Sequence, residues 1–275
     1  MRWLRRAVEA VGSFSILTKL LLSFFIIVIP LYAFNFYVNN VGADKNRKEI
    51  SASLINSLRS YDKVLETEMQ RIKVMQDQTA INIALKHTHI SPQTSDVEKT
   101  AMVLEIQRML VDLQKTSRFI EYVRVDLPVF GATISSSGST LGIDDDQAFT
   151  AMARKEESGF FDYRNGGAYI SSPYLYQTSE AGEGLFLLST RIYGSSVKSL
   201  LGNMMVYRSG GAILYDLQQS WHLSTVPVPE IEERILRFLQ EQPAIEPEGR
   251  IRYVDIEGEP YLVAYERSGA LNTVL

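Results

Sequence analysis

The chain has 275 residues, 45 % of them hydrophobic and 22 % charged, a composition of folded rather than disordered protein. A formal net charge of -4 leaves no excess of Lys and Arg to displace phosphate counterions, which excludes a broadly basic nucleic-acid binder. Cys is absent, so disulfides, thiolate metal sites and Cys nucleophiles are excluded as well.

Residues 20–38 read LLLSFFIIVIPLYAFNFYV, without a charge. At 1.5 Å per residue such a helix is about 28 Å long, close to the hydrocarbon thickness of a bilayer. Pro30 is tolerable in a membrane helix, and Tyr32, Phe36 and Tyr37 fit an aromatic belt at its far end. The apolar run is longer than that of a cleaved signal peptide and ends without small residues, so an uncleaved anchor is expected. Arg2, Arg5, Arg6 and Lys19 precede it, while Lys45, Arg47 and Lys48 after it are mixed with Asp44 and Glu49. That bias puts residues 1–15 inside, the transmembrane helix at 16–38, and the chain from about residue 39 outside a bacterial cell membrane, as a single-pass protein.

Residues 44–85 lack Gly and Pro, and Leu54, Leu58, Tyr61, Leu65, Met69, Ile72 and Met75 recur at helical spacing. This is a long stalk helix whose stripe needs a partner, either the rest of the chain or a second copy. Ser95 and Glu98 form a capping box ahead of a second helix over 96–116, the antiparallel partner that completes a 41–118 helical region. The period then changes to two. Strands are predicted at 123–126, 132–136, 169–176, 185–193 and 204–207, with a short helix at 147–155 and a hairpin loop at 179–184. A second unit begins near residue 210, with strands at 213–217, 221–226, 251–256 and 261–265. A helix over 229–240 lies among them, and Gly258 turns the last hairpin.

Catalytic chemistry has no foothold in this pattern. His87 and His89 form an H-x-H without a third ligand, and Asp144, Asp145 and Asp146 lack the spacing of a calcium loop. No nucleophile elbow, Walker loop, dinucleotide fingerprint or zinc-protease motif occurs. No catalytic residue, metal site or cofactor is expected. The one suggestive cluster is aromatic and cationic. Tyr163, Arg164, Tyr169, Tyr174 and Arg191 supply apolar walls and donors of the kind that small-ligand pockets use, and they are the candidate binding residues. Packing of these rings in a sheet core is the competing reading for each of them taken singly.

The span KLLLSFFIIVIPLYAF, the stalk KNRKEISASLINSLRSYDKVLETEMQRI, the strand FIEYVRVDLP and the late segment YLVAYERSGALN occur in this order. Together they resemble the amino-terminal part of bacterial sensor histidine kinases with an extracytoplasmic double-Cache domain, especially the Gram-positive group. The resemblance implies an α+β fold: a transmembrane helix, a long stalk helix, then two PAS-like modules with antiparallel sheets. The membrane-distal module would cover 119–209 and bind a small extracellular ligand. The membrane-proximal module would cover 210–275 and be incomplete. A homodimer in the lipid bilayer is expected, with no nucleic acid bound through this chain. A cytoplasmic response regulator would be a partner only if the complete protein carries a kinase core. Residue 275 falls before any second span or phosphoacceptor helix, so a fragment or a shortened product is expected, able to sense but not to phosphorylate. The R-x-W-Y element of amino-acid-binding relatives is missing, so amino acids are not the supported ligand. Two rival readings keep the outer domain: a membrane-bound helix-turn-helix regulator, and an envelope protein without a signalling role.

Overall fold

The computed structural model describes residues 15–87, 95–128, 132–141, 161–164, 167–178, 182–204, 210–216, 221–241, 250–268, 271 and 273–275. The chain divides into two compact units, Met1–Leu54 and Ile55–Leu275. Helix α1 (Ile16–His87) contributes to both.

In the first unit α1 exposes its apolar side chains, among them Phe24, Ile26, Leu31 and Phe36. An 18-residue window here, with mean hydropathy 1.6 and none of it buried, makes this a helix near the N-terminus long and apolar enough to cross a membrane. Pro30 lies within it.

In the second unit α1 is amphipathic. Leu58, Leu65, Met69, Ile72, Gln76, Ala80 and Ile83 are its buried positions, and their spacing of three, four and seven keeps them on one stripe. The expected stripe through Leu65, Met69 and Ile72 is present, but it continues through Gln76, and Met75 is only half-buried. Helix α2 (Asp96–Lys115) begins at Ser95, whose side chain accepts from the Glu98 N–H while the Glu98 carboxylate accepts from the Ser95 N–H. It runs antiparallel to α1. Arg71 donates to the Thr116 carbonyl at 3.2 Å, and Lys86 pairs with Glu105 at the other end. Ile106, Leu110 and Leu113 form the buried face of α2.

Strands β1 (Ile120–Leu127), β2 (Ala132–Ser135), β3 (Gly138–Leu141), β4 (Phe161–Arg164), β5 (Gly167–Thr178) and β6 (Gly182–Ile192) make one sheet in the order β3-β2-β1-β6-β5-β4. Every pairing is antiparallel. Val123, Val125, Leu127, Ile134, Ile170, Phe186 and Leu188 join the buried residues of α1 and α2 in a single core. Their alternation with polar residues along β1 is the period-two signal of the sequence. Helix α3 (Gly194–Asn203) follows β6. It carries two glycines and three serines, poor helix formers, and the sequence reading places no helix there. Burial of Val197, Leu200 and Leu201 outweighs that propensity.

A second sheet, with strand order β11-β12-β7-β8, joins β7 (Ile213–Asp216), β8 (His222–Ser224), β11 (Arg267–Ser268) and β12 (Thr273–Val274). Helix α4 (Pro229–Gln240) starts with Pro at its first turn and packs Leu239 with Ile213, Tyr215, Tyr265 and Val274 in a smaller core. Strands β9 (Arg250–Ile256) and β10 (Glu259–Tyr265) form a hairpin. Its two turn residues, Glu257 and Gly258, have φ of 57° and 85°, the left-handed pair that a tight hairpin requires, and Gly258 makes this inexpensive. The predicted helix at 147–155, His89 and the strand at 205–207 lie outside the described residues, while Met204 ends α3.

Ser95→Ala removes one half of the capping box. The full chain in detergent should lose about 1 kcal/mol of unfolding free energy in urea titration, and an unchanged midpoint would deny the cap its role.

Candidate functional site

Strand β6 presents alternate residues to two different environments. Towards the helices it carries Phe186, Leu188 and Thr190, and towards the other face Leu187, Ser189 and Arg191.

On the helix side, Gln76 is fully buried. Its Nε2 donates to the Leu188 carbonyl at 3.0 Å, and Thr190 Oγ1 donates to its Oε1 at 2.8 Å. A buried amide satisfied on both ends allows one position of helix on sheet, because a slip leaves its donor and its acceptor unpaired. Beside it the Tyr174 hydroxyl donates to Asp77, and Lys73 pairs with the same carboxylate. Lys73 Nζ also donates to the Tyr174 hydroxyl at 3.3 Å. The Tyr174 ring stacks on Phe186 at 5.5 Å. Burial first, and then donation to Asp77, push the Tyr174 phenol well above its ordinary pKa.

On the opposite face Tyr122, Arg191 and Tyr169 stand in one row across β1, β6 and β5. The Arg191 guanidinium lies 5.7 Å from the Tyr122 ring centre and 5.9 Å from that of Tyr169. This is cation–π geometry on both sides. The two phenol oxygens are 3.4 Å apart. Between Ile120 and Tyr122 the register shifts against β6, and this bulge brings Glu121 to Arg191, with Oε2 3.2 Å from Nε. The contact is an ion pair without hydrogen-bond alignment, so Nε is a buried donor without a hydrogen-bond partner among the described residues. Gly167 leaves room for this arginine. A Cβ there would lie 2.9 Å from Arg191 Nε and 3.2 Å from the Tyr169 ring.

Deeper along the same face, Ser171 donates to Ser189 at 3.0 Å. Arg124 grips Asp126 through Nε at 2.9 and 3.1 Å, and Thr133 donates to the same carboxylate at 2.7 Å. Asp126, Thr133, Leu187 and Ser189 are all buried. The face thus combines a partly exposed guanidinium, two phenols, hydroxyls and a pinned carboxylate. That set can orient a small polar solute by charge and hydrogen bonds while the rings exclude water. Among the described residues no group of His, Asp and Glu could hold a metal ion.

The five candidate residues are distributed as follows. Tyr169 and Arg191 are cross-strand neighbours in the outer row. Tyr163 and Arg164 lie on β4, paired with Ala168 and Gly167, and their side chains are outside the described set. Tyr174 belongs to the helix-facing side and is not brought to that row. Tyr122, Glu121, Arg124, Asp126 and Thr133 escaped the sequence reading. The polar alternation Tyr122, Arg124, Asp126 was a usable signal for one wet face of a strand. The bulge that adds Glu121 had none.

No protein-family model matches the chain, and neither does any curated protein. Solved structures do. The ligand-binding domain of the amino acid chemoreceptor PctB of Pseudomonas aeruginosa PAO1, in complex with L-Arg, is 10 % identical with TM-score 0.53, over 82 % of this chain and 94 % of that one. The extracellular domain of rpHK1S-Z16, assigned as a histidine kinase, is 11 % identical with TM-score 0.52, over 82 % and 92 %. That of vpHK1S-Z8, assigned likewise, is 12 % identical with TM-score 0.50, over 84 % and 93 %.

Gln76→Leu leaves Thr190 without its acceptor and should cost about 1–3 kcal/mol in denaturant unfolding. Adding Thr190→Val should return part of the loss, and additive losses would show that the two side chains are not coupled. The α+β fold of this chain, with a long N-terminal helix and antiparallel sheets, is similar to the folds of these solved domains.

Proposed function

We propose that this chain is the extracytoplasmic sensing part of a membrane receptor, with residues 1–15 inside the cell and the region from about residue 39 outside. In this reading 16–38 is the anchor, 41–118 the stalk and its helical partner, 119–209 a membrane-distal PAS-like module and 210–275 a membrane-proximal one. A small polar solute binds the outer row, where Tyr169 and Arg191 are joined by Tyr122. Output passes to a cytoplasmic histidine kinase and its response regulator in a homodimer. The likeness to a chemoreceptor domain favours, as the second reading, a chemotactic output from the same sensor.

One observation carries the reading. Strand β6 holds Ser189 and Arg191 on the solute side while Leu188 and Thr190 bond Gln76 of the stalk. A solute that rearranges Arg191 therefore acts on a strand whose other side is pinned to α1, the same helix that carries the anchor. The size of the response is set by the difference in solute affinity between two packings of sheet on helix. The buried donor of Arg191 and its two aromatic faces favour solutes with an anionic or carbonyl group.

The full chain in lipid nanodiscs, screened by thermal shift and calorimetry against sugars, peptides and organic acids, should give a class that binds. Arg191→Ala should abolish that binding, and Gly167→Ala should weaken it tenfold or more by crowding the guanidinium, roughly 1.4 kcal/mol. Tyr174→Phe should bind normally. A solute that binds the Arg191→Ala chain as well as the original would place the site elsewhere.

A further inference from the structure

Where α1 meets the C-terminal segment, a polar contact forms that the solute site does not use. Asp62 and Glu66 stand one turn apart on α1. Ser268 Oγ donates to Glu66 Oε1 at 3.1 Å and also reaches Asp62. Glu266 is fixed in the sheet edge, since its N–H and carbonyl both bond Leu275 at 3.0 Å. Ser268 pairs with Thr273, and Thr273 with Asp216, so the three share one row across β11, β12 and β7. They are 1 %, 0 % and 2 % exposed. The cations nearby sit at the rim. Arg59 Nε lies 3.3 Å from Glu266 Oε2 and Lys63 Nζ 3.7 Å from Glu66 Oε2, with side chains 53 % and 78 % exposed. Arg267, between Glu266 and Ser268, is exposed.

Two oxygens here, Asp62 Oδ1 and Thr273 Oγ1, are buried without a hydrogen-bond partner among the described residues. An ionised Asp62 can only accept, and the charges of Glu66 and Glu266 bear on it. A proton on that carboxyl cancels the repulsion and turns it into a donor for an adjacent carboxylate. The described residues offer no arrangement for a metal ion, and a proton is the ligand that this chemistry accommodates.

We propose that Asp62, set against Glu66 and Glu266, is a proton-operated latch: protonated, it fastens α1 to the C-terminal segment 266–275, and ionised, it loosens that contact. The latch rests on the extracytoplasmic reading, which exposes it to the outside medium, and is independent of any solute on the six-stranded sheet. Burial, followed by the charge of Glu66, raises the Asp62 carboxyl from the usual carboxylate range to about 6. A folded-state pKa above the unfolded one means that the folded chain holds the proton more tightly. The charge penalty is absent below the unfolded pKa, grows as pH rises between the two, and is complete above about 6. Acidification through this window therefore closes the latch.

The test is amide hydrogen exchange of the full chain in lipid nanodiscs at pH 5.0 and pH 7.5, corrected for the intrinsic dependence of exchange on pH. Amides of 266–275 should be about tenfold better protected at pH 5.0, less than the whole shift allows because Asp62 is half-buried. Asp62→Asn should make protection equal at both pH values. Glu66→Gln, which keeps Asp62, should move the transition to lower pH and serves if the Asn variant does not fold. Absence of pH dependence in the original chain, or its persistence in Asp62→Asn, overturns the latch. Neither result touches solute binding, which is read separately through Arg191.

Discussion

A single buried amide determines how the helix and sheet of this protein fit. Gln76 occupies the centre of an otherwise apolar stripe on α1 and bonds the Leu188 carbonyl and the Thr190 hydroxyl of β6. Apolar contacts alone are tolerant of sliding, because one methyl group replaces another at little cost. A buried hydrogen-bonding group is not, since displacement strands both partners in a low-dielectric interior. The Lys73–Asp77–Tyr174 group adds a second polar fixture one position along the helix. The packing of α1 on the sheet is therefore specific as well as hydrophobic.

The period of two along a strand gives that specificity a functional use. Neighbouring residues of β6 face opposite sides, so the residues that grip the helix are separated by one peptide unit from those that line the outer row. The outer row is chemically active in a way the helix side is not. Its guanidinium lies near two rings, meets a carboxylate through a bulge, and keeps a donor without a hydrogen-bond partner among the described residues. In the proposed reading, solute binding and helix packing thus share a strand, so that a change on one side bears on the other.

Much of this architecture was legible in the sequence, because burial follows periodicity. The apolar stripe on α1, the capping box at Ser95 and Glu98, helix α4 and the hairpin at Gly258 all follow from residue spacing or local backbone preference. What escaped depended on tertiary context. Gln76 carries no sign of its burial in the sequence, because polarity alone does not reveal a buried partner. Helix α3 has weak propensity and exists through the burial of Val197 and Leu201. Within the candidate site, Tyr169 and Arg191 were visible as an aromatic and a cation on adjacent predicted strands. Glu121 was not, since a β-bulge leaves no reliable mark in a single sequence. The sequence groups Tyr174 with the same cluster, yet strand parity separates it from Arg191, and only the register shows this.

The central claim is that a solute on the Tyr122–Arg191–Tyr169 row alters the packing of α1 through β6. Hydrogen exchange across residues 72–85 of the full chain in nanodiscs, with and without a binding solute, tests it most directly. The account predicts a change of protection in that helical segment that disappears in Arg191→Ala. A change confined to β1, β5 and β6, with the helix unaltered, would contradict it.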